Sequence, residues 1–385
     1  MTELTLIYFF TFSIVVLLSY LGVKENNKEV SNDGKLKWNI YYFLSFALIT
    51  IFLGTRDGVG VDFFSYKDGF ENGSQLFEFG ESTELGQIWI TDILHFLNLD
   101  YHSFFIVTSF ITVLLLFNSF KNFYYLLPTG IFIFFVGGMY NFDINGIRQG
   151  IAMMAFFNAL RFINWEGGKK KILEDIFWFS FYIVLGALFH YSIFIFIPFI
   201  FILNKKFLSI FNSRNLIVIV FLGFFFNSVS YLEVFANTFA DIFPKYEYYT
   251  DLDLMTEVGG FHLGAIFILI ANLIPLIYYN KIKNEFPESA KYFVLYALGT
   301  GLMYAFSEYM VVGRAILYLS LCNIFVFSYS IQYFKSLGKY ILSYRILSIS
   351  IIAFYIVLFI YSIPKFIEVQ IVENDYSFWF IPLTK

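Results

Sequence analysis

Residues 39–66 read NIYYFLSFALITIFLGTRDGVGVDFFSY. The first part, 39–54, is nearly continuous hydrocarbon, the pattern of a helix surrounded by lipid. It runs straight into Arg56, Asp57 and Asp62, interleaved with Gly58 and Gly60. Charged side chains at a membrane boundary are costly, so a knot of them is a site hypothesis by default. Two expectations follow: the chain crosses a membrane, and chemistry sits where this segment emerges.

Composition supports the first. The 385 residues are 59% hydrophobic, 23% aromatic and 14% charged, with a mean hydropathy of +0.70. A soluble protein carries about 25% charged residues, so the expected class is an all-α polytopic integral membrane protein. The single cysteine, Cys322, excludes an intrachain disulfide and a cysteine-based zinc site. Nothing in the charge pattern suggests nucleic-acid binding, and the net charge of -4 matters less than how charge divides between the two sides.

A spanning helix needs roughly 17–25 apolar residues. Twelve spans are expected, near 5–22, 39–54, 102–120, 124–140, 146–163, 173–189, 191–203, 215–233, 263–279, 292–307, 314–333 and 346–363. The short 191–203 segment also fits a re-entrant element. The first span has no basic n-region, and its positive charges follow it, unlike a cleaved signal peptide. Alternate connections hold 18 of the 25 basic residues, among them Lys24, Lys169, Lys205, Lys281 and Lys335. The positive-inside rule makes that set cytoplasmic. Both termini are then outside, as are the loops 55–101 and 234–262 and the tail 365–385. The whole chain, 1–385, reads as one transmembrane domain. Within the first loop, 84–97 reads as a helix lying on the membrane surface, with Gln87, Thr91 and His95 at helical spacing and Leu85, Ile88, Trp89, Phe96 and Leu97 apolar. No repeat of the kind expected for two homologous transporter halves is visible.

Four polar places fall at outer span ends: Arg56–Asp62; Asn141 to Gln149, with Asp143 and Arg148; Phe189-His190-Tyr191-Ser192; and Ser307 to Arg314, with Glu308. Arg148 and Arg314 each begin a span, where the helix macrodipole is already positive. That is a poor place for a cation stabilising its own helix, and a good one for an anion held between guanidinium and free N–H groups. Phosphate suits the bidentate fork of arginine. The bland alternatives stand beside these readings. Either arginine could be a headgroup anchor, Arg56 could pair with Asp57 or Asp62, and His190 could be a polar hairpin tip. His95, His102 and His262 read as interfacial or loop residues. Asp251 and Asp253 are open to a divalent ion or to plain solvation.

Arg56, three residues, Gly60, one residue, Asp62, an aromatic and then Tyr66 resembles the signature of the EpsG family of exopolysaccharide polymerases, which are Wzy-type proteins. Glu84-Leu85-Gly86, Ile147-Arg148-Gln149 with Ile151-Ala152, Phe189-His190-Tyr191-Ser192, and Gly313-Arg314 with Tyr318 resemble further family elements in the same order. Val61 and Phe63 stand where threonine and tyrosine are common. The resemblance implies a glycosyltransferase of the bacterial cytoplasmic membrane, similar to the GT-C-like enzymes that use lipid-linked sugars. Its substrate would be an undecaprenyl-diphosphate-linked oligosaccharide repeat unit, already on the outer face. The growing glycan would pass from its lipid diphosphate to the sugar end of a new unit, building an exopolysaccharide, capsule or O-antigen. Neither cofactor nor metal is expected. The implied partners are the bilayer and a flippase and chain-length regulator of the same pathway.

Within that chemistry, Arg148 and Arg314 are expected to bind the diphosphate, with Arg56 nearby. His190 is the first candidate for the base that takes the acceptor proton, and Asp62 the second. Asp57, Gln149 and Tyr66 are expected to orient sugars. A ligase or single-sugar transferase would use the same groups. A flippase or secondary transporter also fits twelve spans, although its coupling charges belong near the midplane.

Overall fold

The structure is a computed structural model describing residues 3–28, 37–72, 84–163, 168–198, 203–226, 263–306, 310–370, 377–378 and 381–382. The expected loop 234–262, with His262, Asp251 and Asp253, lies outside the described residues, as does Glu308. The chain divides into two compact units, residues 1–201 with 352–385, and residues 202–351.

The first unit begins with α1 (Glu3–Lys28) and α2 (Ile40–Gly54), packed against each other. Asn39 caps α2, its side chain accepting from the Tyr42 amide. Next come the two-residue strand β1 (Arg56–Asp57), α3 (Phe63–Glu71), α4 (Leu85–Phe96) and α5 (Tyr101–Ser119). The chain continues through α6 (Leu127–Val136), α7 (Met139–Asn145), α8 (Ile147–Ala159) and α9 (Lys169–Ala187). Packing runs from α2 to α5 to α8 to α9. Asn158 on α8, fully buried, donates to the Leu115 carbonyl, and its side-chain oxygen accepts from Asn118 at 2.6 Å; Asn118 also donates to the Tyr182 hydroxyl on α9 at 2.7 Å. A satisfied polar network among apolar faces pins their register. Because α8 and α9 are antiparallel neighbours joined by a short connection, the start of α8 and the end of α9 meet at one end.

The second unit contains helices Ser213–Phe226, Leu263–Ile277, Ala290–Ala305, Met310–Ser320 and Asn323–Leu337. Its 290–305 helix packs against 213–226 and 310–320. Pro275 removes a hydrogen-bond donor just before the chain bends by 43° into Tyr279–Glu285. The long helix Leu342–Gln370 belongs partly to each unit.

By length and hydropathy, four helical stretches among the described residues suffice to cross a membrane: Leu6–Asn27, Tyr101–Ser119, Val312–Leu337 and Leu342–Ile360. The number rises to six if the bent pairs are single spans, one of them α6 with α7, bent by 59° at Gly137–Gly138. Helices Ile40–Gly54 and Ser213–Phe226 are apolar but shorter. The segment expected at 191–203 begins with a 3-10 helix, Tyr191–Phe196.

Two elements depart from the sequence reading. The loop after α2 folds into α3, whose Phe63, Tyr66 and Phe70 form a buried stripe against α5. Phe63 stacks on Phe105 with ring centroids 4.7 Å apart. The all-α class also gains a small antiparallel sheet. Strand β1 pairs with β2 (Ser377–Phe378), Arg56 opposite Phe378, and β2 pairs with β3 (Ile381–Pro382). The C-terminal tail thereby joins the loop where the opening motif lies. Strands this short carry no hydrophobic alternation, so only the pairing reveals them.

Candidate functional site

Arg148 occupies the first turn of α8, and His190 follows the end of α9 in extended backbone, ahead of the 3-10 helix. The antiparallel packing of α8 and α9 brings them to one end. The residue that joins them is Glu84, at the N-cap position of α4. Its carboxylate makes an ion pair with Arg148 through one oxygen, and its other oxygen lies 2.9 Å from Nδ1 of His190. A carboxylate at an N-cap ordinarily accepts from its own helix. That of Glu84 makes no capping bond, and is spent on two partners 64 and 106 residues away in sequence.

Backbone geometry enforces this placement. The Gly86 amide donates to the Leu188 carbonyl at 2.7 Å, and a Cβ at Gly86 would stand 2.8 Å from that same oxygen. Only glycine lets α4 approach the α9 terminus so closely. The Glu84-Leu85-Gly86 motif is thus a unit: the glycine permits the approach, and the glutamate uses it.

The cluster has a buried back and a partly open front. The Glu84 side chain is 7% exposed, whereas those of Arg148 and His190 are 29% and 30% exposed. Burial alone would raise the Glu84 carboxyl; the His190 hydrogen bond and the Arg148 charge outweigh it and hold the group below its usual range. An ionised carboxylate only accepts, so Nδ1 of His190 carries a hydrogen, and in the neutral imidazole Nε2 is then the acceptor. Tyr66 on α3 is a further partner of Arg148. Burial raises its phenol above the ordinary value, with the Arg148 charge opposing and Asp62 reinforcing the shift. The phenol therefore stays protonated.

The other candidates take different positions. Asp62 is half-buried at the N-cap position of α3, within electrostatic range of Tyr66. Asp57, in β1, hydrogen-bonds Tyr101 at the start of α5. Gln149 is buried in α8. Arg314 lies exposed on the helix Met310–Ser320 of the second unit. Among the described residues no three His, Cys, Asp or Glu side chains gather as a metal site would require. His95 packs edge-on against Phe70 and His102 pairs with Asp100.

Arg56 is 3% exposed and points into the protein. It donates to the Leu53 carbonyl at the end of α2 and to the Ile144 carbonyl of α7 at 3.2 Å, and lies 4.8 Å from the Phe105 ring. Its charge acts on the buried Asp143, whose carboxylate oxygens have no hydrogen-bond partner. Arg56 and Asp143 line a cavity of about 10 Å³ with Thr108, Ser109 and Thr112. That is space for about one water molecule, far less than a diphosphate needs. Gly60, at φ +109°, lets its loop pass against Ile144, where a Cβ would meet the side chain at 2.8 Å.

Sequence reasoning quoted Glu84 only as part of a motif and assigned it no role. The available signal was an acidic residue at the start of a helix whose glycine, two positions on, demanded a close neighbour.

No curated protein and no solved structure matches the chain. The sequence model of the EpsG family matches residues 39–372, most of the chain, and covers Arg56, Glu84, Arg148, His190 and Arg314 together. The protein is a member of the EpsG family.

Proposed function

We propose that this protein polymerises undecaprenyl-diphosphate-linked oligosaccharide repeat units at the outer face of the bacterial cytoplasmic membrane, as a GT-C-like enzyme of about twelve spans. Membership of the EpsG family supports a polysaccharide-polymerase role at the coarser level. The observation that carries the finer reading is Glu84 holding Arg148 and His190 together.

In this reading the ionised Glu84 fixes the His190 tautomer. Nε2 takes the proton of the acceptor sugar hydroxyl as its oxygen attacks the anomeric carbon of the growing chain. The anomeric C–O bond breaks, and its electron pair leaves with the lipid diphosphate. The Arg148 guanidinium stabilises the charge that develops there, from the partly open front of the cluster. Arg314 is proposed as a second diphosphate ligand on sequence grounds. Asp62 is the second candidate base, and Asp57, Gln149 and Tyr66 are proposed to orient sugars. Arg56 is proposed instead as a tether between the end of α2 and α7. The charge asymmetry of the loops supports an outer location for the site and both termini.

The test uses purified protein with a lipid-linked repeat unit. Wild type is expected to make a ladder of glycans; a single addition would indicate a ligase or single-sugar transferase. His190→Ala, Arg148→Ala and Arg314→Ala are each expected to abolish the ladder in folded protein. Normal ladders from Arg148→Ala and His190→Ala would overturn the site.

A further inference from the structure

We propose that the hydrocarbon chain of the lipid-linked substrate lies along the outward face of α4, an inference resting on the polymerase reading above.

Helix α4 is built inside out. A helix on a water-facing surface turns its polar side outward. Here Gln87 and Thr91 are each 2% exposed, while Leu85, Trp89, Ile93 and Phe96 are 46%, 51%, 58% and 84% exposed. The spacing of four, four and three sets these in one row about 18 Å long at 1.5 Å per residue, with the exposed Asp92 and His95 along one edge of it. A contiguous apolar stripe of that kind marks contact with hydrocarbon or another apolar partner.

Its position selects the partner. The stripe starts at Leu85, next to Glu84, and so at the cluster of Arg148 and His190. On the other flank of His190, Tyr191 and Phe194 are 50% and 45% exposed. The Gly86–Leu188 hydrogen bond holds the two flanks together. The surface therefore reads as a hydrogen-bonding head position, with the Arg148 guanidinium beside it, followed by an apolar track. That order matches a polyprenyl diphosphate, a polar head joined to a hydrocarbon tail. A helix serving only to rest on the bilayer would have no reason to begin at the ion cluster.

Photoreactive benzoylphenylalanine placed at Trp89 or Ile93 of the full chain, in nanodiscs containing undecaprenyl diphosphate, tests the contact without requiring glycan transfer. Phe110 on α5, 45% exposed, is the control for ordinary lipid contact. Enriched crosslinking of the polyprenyl lipid at 89 and 93 over 110 is the expected result. Equal labelling at all three positions, or phospholipid adducts alone, would overturn the inference. Kinetics give a second readout. Trp89→Ser and Ile93→Ser are expected to raise KM about tenfold for the long-chain substrate, about 1.4 kcal/mol. With a short-chain analogue KM should not change. Equal losses for both chain lengths would assign α4 a merely structural role and sink the proposal. Selective crosslinking without any polymerisation would leave this inference standing and remove the polymerase reading. Polymerisation without selective crosslinking would do the reverse.

Discussion

Glu84→Gln is the sharpest probe of the site, because it changes charge while keeping volume. The carboxylate it removes is 7% exposed and shared between Arg148 and Nδ1 of His190. Arg148 has only donors to offer, so it claims the oxygen of the new amide. The amide NH2 is then left facing Nδ1, which must accept. The imidazole hydrogen moves to Nε2, and the nitrogen assigned as base can no longer take a proton. A positioned general base contributes about 100- to 10,000-fold, or about 3–5 kcal/mol at ~1.36 kcal/mol per decade. A loss of that size in kcat is expected, with a smaller effect on KM. Stability should fall less. Breaking a fully buried ion pair costs about 3–5 kcal/mol, but nearly a third of the Arg148 side chain reaches solvent. Hydrogen bonds to charged groups, at about 1.5–3 kcal/mol, set the better scale. The assay is glycan-ladder formation by purified protein in nanodiscs, with thermal unfolding measured on the same samples. Glu84→Gln protein that melts normally and keeps more than a third of the wild-type rate would refute the tautomer argument.

Three further outcomes are expected. Gly86→Ala should destabilise by about 1–3 kcal/mol through its clash with the Leu188 carbonyl, and should lower activity by parting Glu84 from His190; unchanged melting and rate would refute the close-approach argument. Arg56→Ala should cost about 1.5–3 kcal/mol of stability by removing the charged hydrogen bonds to the Leu53 and Ile144 carbonyls, while KM for the lipid substrate stays unchanged in whatever folds; a raised KM with normal melting would return Arg56 to the substrate site. The third concerns pH. Because the Glu84 carboxyl is held below its usual value, its stabilisation should be fully present above about pH 4.5, the ordinary value, and be lost as pH falls through the lowered folded one. The stability gap between wild type and Glu84→Gln should therefore close on acidification, and a gap that persists to low pH would contradict the assignment.

The sequence by itself determined the helical class, its apolar character and the family. Each rests on local information: hydrocarbon content over a window, or short motifs such as Arg56-x3-Gly60-x-Asp62. It also placed Arg148 and His190 at the same end, since consecutive helices joined by a short connection must be antiparallel. Helix α3 was missed because polar and glycine residues break its apolar pattern; its buried stripe of Phe63, Tyr66 and Phe70 matters only against α5. Only the tertiary structure decided how the site is wired. Whether the carboxylate at Glu84 caps its own helix or reaches Arg148 and His190 depends on how closely α4 packs on the end of α9, and Gly86 sets that distance. The same applies to Arg56, which as a string of letters stands among aspartates in a loop, and in the fold turns inward to backbone carbonyls and Asp143. A long side chain has many staggered rotamers, and its sequence neighbours do not choose among them. The partners that do choose come from elements far along the chain, and packing alone brings them near.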